Sequence, residues 1–224
     1  HGGNRIPADC RYLFVGGGAE RALRSHRGWD PGALDVARAL ARQTGAPLHE
    51  ASTTRLLVEL NRSPHHPQLF SEFSAVLSRD ERATLLATHY YPYRDRVEQA
   101  IRQRLATRRV VLHLSVHTFV GTWQGHARAA DIGLLYDPAR PGERRLCAEW
   151  QARLRHLAPG LRVRRNYPYR GASDGFVTYL RRQFGPRRYV AVELEVSQTL
   201  VAAPGDARRR TIDILARSLL AAVG

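Results

Sequence analysis

The chain has 224 residues, enough for one α/β domain with a substantial core, and 43% of them are apolar. No apolar run reaches the length of a membrane span, and Cys10 and Cys147 are too far apart to form a metal-binding motif. All 35 basic residues are arginine and the formal charge is +15. Because the arginines are spread over every segment without interleaved aromatics, we interpret them as a solvated basic surface and not as a nucleic-acid-binding stripe.

The N-terminal stretch from His1 to Pro7 is polar and glycine-rich, which predicts a loop, and the glycines from Gly16 to Gly18 predict a flexible turn. The chain contains no methionine, so we expect a sequence trimmed at its front, with a strand that ended just before His1. The Asp30-Pro31 pair predicts a helix start with Asp30 as the N-cap, and Gly45 predicts the end of that helix. We also predict a strand over residues 53–62, followed by a Pro-flanked loop.

The apolar run that begins at Val110 predicts a buried strand, and alternation places His113, Ser115 and His117 on one of its sides. His117 comes last, where the strand meets a loop. Ligands of open α/β sheets bind outside the carboxyl ends of strands, so His117 is a candidate metal ligand or acid/base group. The alternative is a core histidine that is hydrogen-bonded to a neighbouring carbonyl.

The second half of the chain alternates further strands and helices. Glu193 and Glu195 lie on one face of an apolar strand over residues 189–196. A buried carboxylate is costly unless it is paired or binds a cation, so these two indicate a cationic or metal-bearing site. We predict an active-site loop over 123–128, short strands over 130–136 and 161–165, and helices over 95–105, 145–157, 174–184 and 208–223.

This order of elements predicts a single α/β domain over residues 1–224, with a mostly parallel mixed sheet flanked by helices. Polar groups fall at or beyond several strand ends. Two histidines, a carboxylate and an open water position form the usual catalytic zinc pattern. A further glutamate can take a proton from the water, and arginines can stabilise an oxyanion or grip a carboxylate.

Five segments together resemble the N-formylglutamate amidohydrolase family over nearly the whole chain. They are residues 1–7, Arg55 with 59–62, the strand end at 117–119, the turn 166–171, and 193–198. The resemblance implies a fold like that of zinc carboxypeptidases (phosphorylase/hydrolase-like), and zinc-dependent hydrolysis of an amide on an amino acid.

The same resemblance assigns roles position by position. His1, Asp30 and His117 resemble the zinc ligands, although helix capping competes for Asp30. Glu195 resembles the general base and Arg55 the residue that polarises the carbonyl, whereas Glu193 has the simpler interpretation of a paired strand residue. The substrate-binding set is Asn61 and Arg62 for the α-carboxylate, with Arg170 and the adjacent Tyr169 for a second carboxylate.

The leading hypothesis is therefore a cytoplasmic zinc amidohydrolase that acts on a small N-acyl amino acid such as N-formylglutamate. One alternative keeps the fold but changes the substrate to a short peptide or another acylated amine. The other is non-enzymatic: a basic α/β module that binds an anionic ligand or RNA. Zinc content separates the enzyme hypotheses from the last one, and salt-dependent polyanion binding would favour it.

Overall fold

The structure is a computed structural model that describes residues 2–224, so the predicted zinc ligand His1 lies outside the described residues. The first half of the chain forms helices and turns, and the strands begin only at Val111. The helices are α1 (Gly17–Arg24), α2 (Ala33–Thr44), α3 (Arg79–Leu85), α4 (Tyr91–Thr107), α5 (Pro141–Leu157), α6 (Phe176–Gln183), α7 (Gln198–Val201) and α8 (Asp206–Val223). A 3-10 segment, Ala8–Leu13, precedes α1, and a π-helical segment, Leu86–Tyr90, joins α3 to α4.

The main sheet has four strands in the order β1-β6-β4-β5. These are β1 (Val111–Phe119), β4 (Ile132–Leu135), β5 (Val163–Arg165) and β6 (Tyr189–Ser197), while β2 (Thr122–Trp123) and β3 (His126–Ala127) form a separate small hairpin. The β1/β6 and β4/β5 pairs are parallel and the β4/β6 pair is antiparallel. The predicted fold class, a mixed and mostly parallel α/β sheet, is therefore confirmed.

Helices cover both faces of this sheet, as the apolar strands require. One core joins the sheet to α2, α5 and α8 around Trp150, which is fully buried and donates its Nε1–H to Ser218 Oγ at 2.9 Å. On the other face, α4 and α6 pack against Tyr189 and Ala191. No helix in residues 2–224 combines the length and apolarity needed to cross a bilayer.

Three local predictions were wrong. Residues 53–62 are turns and not a strand, apart from one isolated bridge at Thr53. Asp30 is not the N-cap of α2, because Gly32 occupies that position with a φ of 84° and Asp30 lies two residues earlier. The glycines that begin at Gly16 start helix α1 where we expected only a turn, whereas Gly45 does end α2 as predicted.

Strand β1 lies at the edge of the sheet, and a groove of about 620 Å³ runs beside it. The groove is lined by all eight consecutive residues 110–117 and by apolar side chains of α2 and α4, including Leu34, Ala37, Val97 and Ile101. Successive strand residues point to opposite faces, so a groove that touches every one of them follows the strand's edge. The two helices thus flank an edge of β1 that no strand of residues 2–224 covers.

Candidate active site

Strands β1 and β6 bring the predicted histidine and glutamates together. In the parallel register His117 is the partner of Glu195, and Ser115 is the partner of Glu193. His117 and Glu195 are both buried, with 8% and 6% of their surface exposed, and both lie near the carboxyl ends of their strands. The sheet therefore presents an imidazole and a carboxylate side by side at the edge where ligands of such sheets bind.

Asp30 connects this pair to a buried ionic chain. Its Oδ2 lies 2.9 Å from His117 Nδ1, and its Oδ1 accepts a hydrogen bond of 2.8 Å from Arg55. Arg55 also donates from Nε to Glu59 at 2.6 Å. A carboxylate can only accept, so Nδ1 of His117 carries the proton in this arrangement, and Nε2, 3.1 Å from Ser115 Oγ, is the acceptor.

Burial and charge act in opposite directions on these groups. Burial alone would raise the pKa of Asp30, but the charge of Arg55 and the hydrogen bond from His117 outweigh it and lower that pKa. Glu59 follows the same pattern: burial raises its pKa, and Arg55 lowers it by more. Burial opposes the charge on Arg55, but Glu59 and Asp30 raise its pKa overall. The guanidinium is thus held charged between two ionised carboxylates.

Glu195 is in the opposite situation. Burial, followed by the negative charges of Asp30 and Glu193, raises the pKa of Glu195 well above its usual value, although Arg55 opposes this rise. Its Oε2 is buried without a hydrogen-bond partner among residues 2–224. Buried polar atoms are nearly always satisfied, so an unpartnered carboxylate oxygen beside a histidine indicates a position for a proton donor or a cation. Burial likewise raises the pKa of Glu193 to about 7.

The other cross-strand neighbour of Glu195 is a glycine, and the turn 166–171 passes so close to it that a side chain would not fit. Gly133 of β4 pairs with Glu195, and a Cβ there would lie 2.1 Å from the carbonyl oxygen of Tyr167. Asn166, at a φ of 50°, accepts hydrogen bonds on its Oδ1 from Tyr136 N (3.0 Å) and Gly171 N (3.2 Å). These contacts fix the turn across β4, next to Glu195.

The predicted substrate-binding residues divide into two groups. Asn61 Oδ1 accepts a hydrogen bond of 2.8 Å from Phe176 N. The Asn61 side chain also forms a hydrogen bond with Glu193, and Arg62 contributes a positive charge near the same glutamate. Tyr169 belongs to the turn 166–171, and its hydroxyl accepts a 3.1 Å hydrogen bond from Arg128. In residues 2–224 the exposed side chain of Arg170 makes no hydrogen bond, ion pair or ring contact with any of these groups.

Arg128 was not among the predicted site residues. It follows the β2–β3 hairpin, inside the segment where we expected an active-site loop, and its guanidinium lies over three aromatic rings. Its charge also lowers the pKa of Glu195, against the rise caused by burial. The sequence gives no signal that separates this arginine from the other 34.

Two groups of side chains have the donor chemistry of a metal site. Asp30 and His117 lie close enough to share one ion, and oxygen and imidazole nitrogen are both zinc donors. Asp9, Cys10 and His89 form a second group with ligand atoms within 4.8 Å of one another, and His89 Nε2 is buried without a partner among residues 2–224. None of those three was predicted, because His89 is far in sequence from the adjacent Asp9 and Cys10 and no motif spacing connects them.

Comparisons with known proteins bear on the family and on the fold. A sequence profile described as N-formylglutamate amidohydrolase matches residues 1–202. The gene product Atu2144 from Agrobacterium tumefaciens has a similar structure, with a TM-score of 0.84 and 29% identity over all of this chain and 87% of that one. N-formylglutamate amidohydrolase from Ralstonia eutropha JMP134 has a TM-score of 0.74 and 20% identity over all of this chain and 90% of its own. No curated protein matches the sequence.

Proposed function

The chain belongs to the N-formylglutamate amidohydrolase family, and from this premise we propose that it is a zinc-dependent hydrolase of N-acyl amino acids, with N-formylglutamate as the reference substrate. The single observation that carries the proposal is the buried carboxylate of Glu195, unpartnered at Oε2 within residues 2–224, beside the hydrogen-bonded His117–Asp30 pair. That arrangement supplies a base next to a set of metal donors. Such a set is what hydrolysis of an unactivated amide needs.

His1, Asp30 and His117 are the residues that would hold zinc, which supplies polarisation of the acyl carbonyl and a water of lowered pKa. Asp30 fits a ligand role because Arg55 fixes its second oxygen at 2.8 Å, and hydrogen bonds of this kind orient metal-binding carboxylates. The adjacent imidazole fits the same ion. His1 enters the proposal through the family resemblance alone.

Glu195 takes the proton from the attacking water in this mechanism. Its raised pKa brings its basicity closer to neutral pH, where a general base is most effective. The oxygen of the water bonds to the acyl carbon, the C–N bond breaks, and Glu195 returns the proton to the leaving amine. With a formyl substrate the products are formate and a free amino acid.

Arg55 stabilises the oxyanion that develops on the carbonyl oxygen, because its guanidinium is held in place from both sides by Asp30 and Glu59. Asn61 and Arg62 hold the α-carboxylate of the substrate, and their contacts with Phe176 N and Asp174 O fix them beside Glu193. The substrate thus lies across the carboxyl ends of β1 and β6, with its scissile amide at Glu195.

Metal analysis and a substrate panel test the proposal. The purified chain should contain one zinc bound by these residues and should release formate from N-formyl amino acids. His117→Ala should lose that zinc and its activity but keep a cooperative unfolding transition, and Asp30→Asn should weaken zinc binding. Full zinc occupancy in His117→Ala would show that the metal site is assigned to the wrong residues. A zinc-free wild type that hydrolyses no member of the panel would refute the function.

A further inference from the structure

Arg128 is a half-buried arginine in an unusual environment. Its guanidinium carbon lies 5.5 Å from the ring centroid of Phe119, 5.6 Å from that of Trp123 and 5.1 Å from that of Tyr169. Its backbone N–H is also fixed, by a 2.8 Å hydrogen bond to Gly121 O. Cation–π contacts with three rings position a guanidinium without neutralising its charge.

No carboxylate of residues 2–224 forms an ion pair with Arg128, although several other arginines of the chain are paired in this way. An arginine has five N–H donors, and the side-chain hydrogen bond of Arg128 to the Tyr169 hydroxyl uses one of them. The remaining donors can bind an anion. Two of the three rings place the guanidinium beside the catalytic residues, because Phe119 ends strand β1 just beyond His117 and Tyr169 belongs to the turn 166–171 next to Glu195. In agreement with this position, burial raises the pKa of Glu195 and the charge of Arg128 opposes that rise.

Besides Arg55, which is paired with Asp30 and Glu59, the site contains two further cationic positions. Burial raises the pKa of both glutamates, and the positive charge of Arg62 opposes that rise at Glu193 as the charge of Arg128 does at Glu195. The proposed function assigns the first position to the α-carboxylate of the substrate. A second cation near Glu195 has no role with an amino acid whose side chain is neutral, but it matches one that carries a second carboxylate.

We propose that Arg128, positioned by Phe119, Trp123 and Tyr169, binds the side-chain carboxylate of a dicarboxylic N-acyl amino acid and so determines the specificity of the enzyme. This inference rests on the proposed function. It replaces Arg170, which the family resemblance suggested for this role, because the Arg170 side chain makes no hydrogen bond, ion pair or ring contact with the site in residues 2–224. Tyr169 keeps a part in the site as a support for Arg128.

The test compares N-formyl-L-glutamate with N-formyl-L-glutamine, which has nearly the same shape but no side-chain charge. Arg128→Gln should raise KM for the glutamate substrate on the order of 10- to 100-fold, as expected for the loss of a hydrogen bond to a charged group. It should change KM for the glutamine substrate by no more than about 3-fold, corresponding to roughly 0.6 kcal/mol, with kcat similar for both. Arg128→Lys should recover part of the discrimination, because it keeps the charge and loses the planar fork.

Arg153→Gln is the matched control, since Arg153 is half exposed and pairs with Glu149 on α5, outside the site. It should leave both substrates unchanged. Equal losses on both substrates for Arg128→Gln, or a selective loss in Arg170→Gln instead, would overturn the assignment while the hydrolase function stands. A wild type that hydrolyses neither these substrates nor any other N-formyl amino acid would overturn both proposals.

Discussion

Replacing Arg55 with methionine tests the buried ionic chain that fixes Asp30. The substitution keeps an unbranched side chain of similar length but removes the cation from between Asp30 and Glu59, whose side chains are only 5% and 8% exposed. Breaking a buried pair costs about 3–5 kcal/mol because a charge is left without compensation. Arg55 is itself 28% exposed, which favours the lower end, so we expect a loss of about 3 kcal/mol in the free energy of unfolding at pH 7.

The pH dependence of this loss identifies its cause. In the wild type, Arg55 lowers the pKa of both carboxylates, so their contribution is present above the unfolded-state pKa values of about 4 and is lost as the pH falls through the lower folded values. In Arg55→Met the largest cause that opposes burial is removed, and the weaker effects of His117 on Asp30 and of the Asn61 N–H on Glu59 remain. Both pKa values therefore rise relative to the wild type, and the variant is penalised most when the carboxylates are ionised. The difference between the two proteins should therefore shrink between pH 7 and about pH 4.

Urea unfolding at several pH values, with a chelator present so that metal binding does not contribute, measures the difference. Arg38→Met serves as the control, because the Arg38–Glu50 pair is exposed at 47% and 38% and such pairs contribute about 0–1 kcal/mol. Equal losses in the two variants at pH 7, or a loss in Arg55→Met that is independent of pH, would refute the reasoning.

The remaining predictions concern single substitutions. Glu195→Gln should lower kcat by roughly 10²- to 10⁴-fold with unchanged zinc content, and an active variant would remove Glu195 from the role of base. The pKa of Glu193 is raised to about 7, so the wild type should lose stability as the pH rises from about 4.5 to 7, where the buried carboxyl group must ionise. Tm measured against pH should not show this decline in Glu193→Gln, and equal slopes in the two proteins would contradict the assignment. Gly133→Ala should lower the free energy of unfolding, measured with urea, by roughly 2 kcal/mol or more, and should also lower kcat/KM, because the new Cβ displaces Tyr167. Wild-type values would show that the turn is free to move. Trp150→Phe should lower the free energy of unfolding by roughly 2 kcal/mol in the same assay, because buried volume and one hydrogen bond are lost. An unchanged free energy of unfolding would mean that the core repacks.

The strands of the sheet could be predicted from the sequence, whereas the contacts that surround them could not. The apolar, β-branched runs of β1 and β6 indicate strands because such residues pack well on a pleated surface, and alternation then fixes which side chains share a face. That alternation placed Glu193 and Glu195 together. The pairing of His117 with Glu195 is a matter of register between strands about 80 residues apart, and no local pattern specifies it.

The errors came from segments in which tertiary contacts override local preference. Residues 53–62 are apolar enough for a strand, but Leu57 and Leu60 are buried in a separate core cluster that forms around Tyr90, so their apolar character indicates burial and not extension. Asp30 has the sequence signature of a helix cap, yet its carboxylate is directed to His117, which is 87 residues away. Arg128 was missed because nothing in its neighbourhood predicts that three aromatic rings surround it.

The side of β1 that faces the groove should give this strand an uneven pattern of hydrogen exchange. Val111 donates its N–H to Arg188 O on the β6 side, so alternation directs the amides of Leu112, Leu114 and Val116 into the groove. No strand of residues 2–224 pairs with that side, whereas β6 is paired on both sides. The amides of β1 should then exchange in an every-second-residue pattern, with those three fast and their neighbours slow. Uniform protection along β1 would reveal that another segment occupies the groove and completes the sheet.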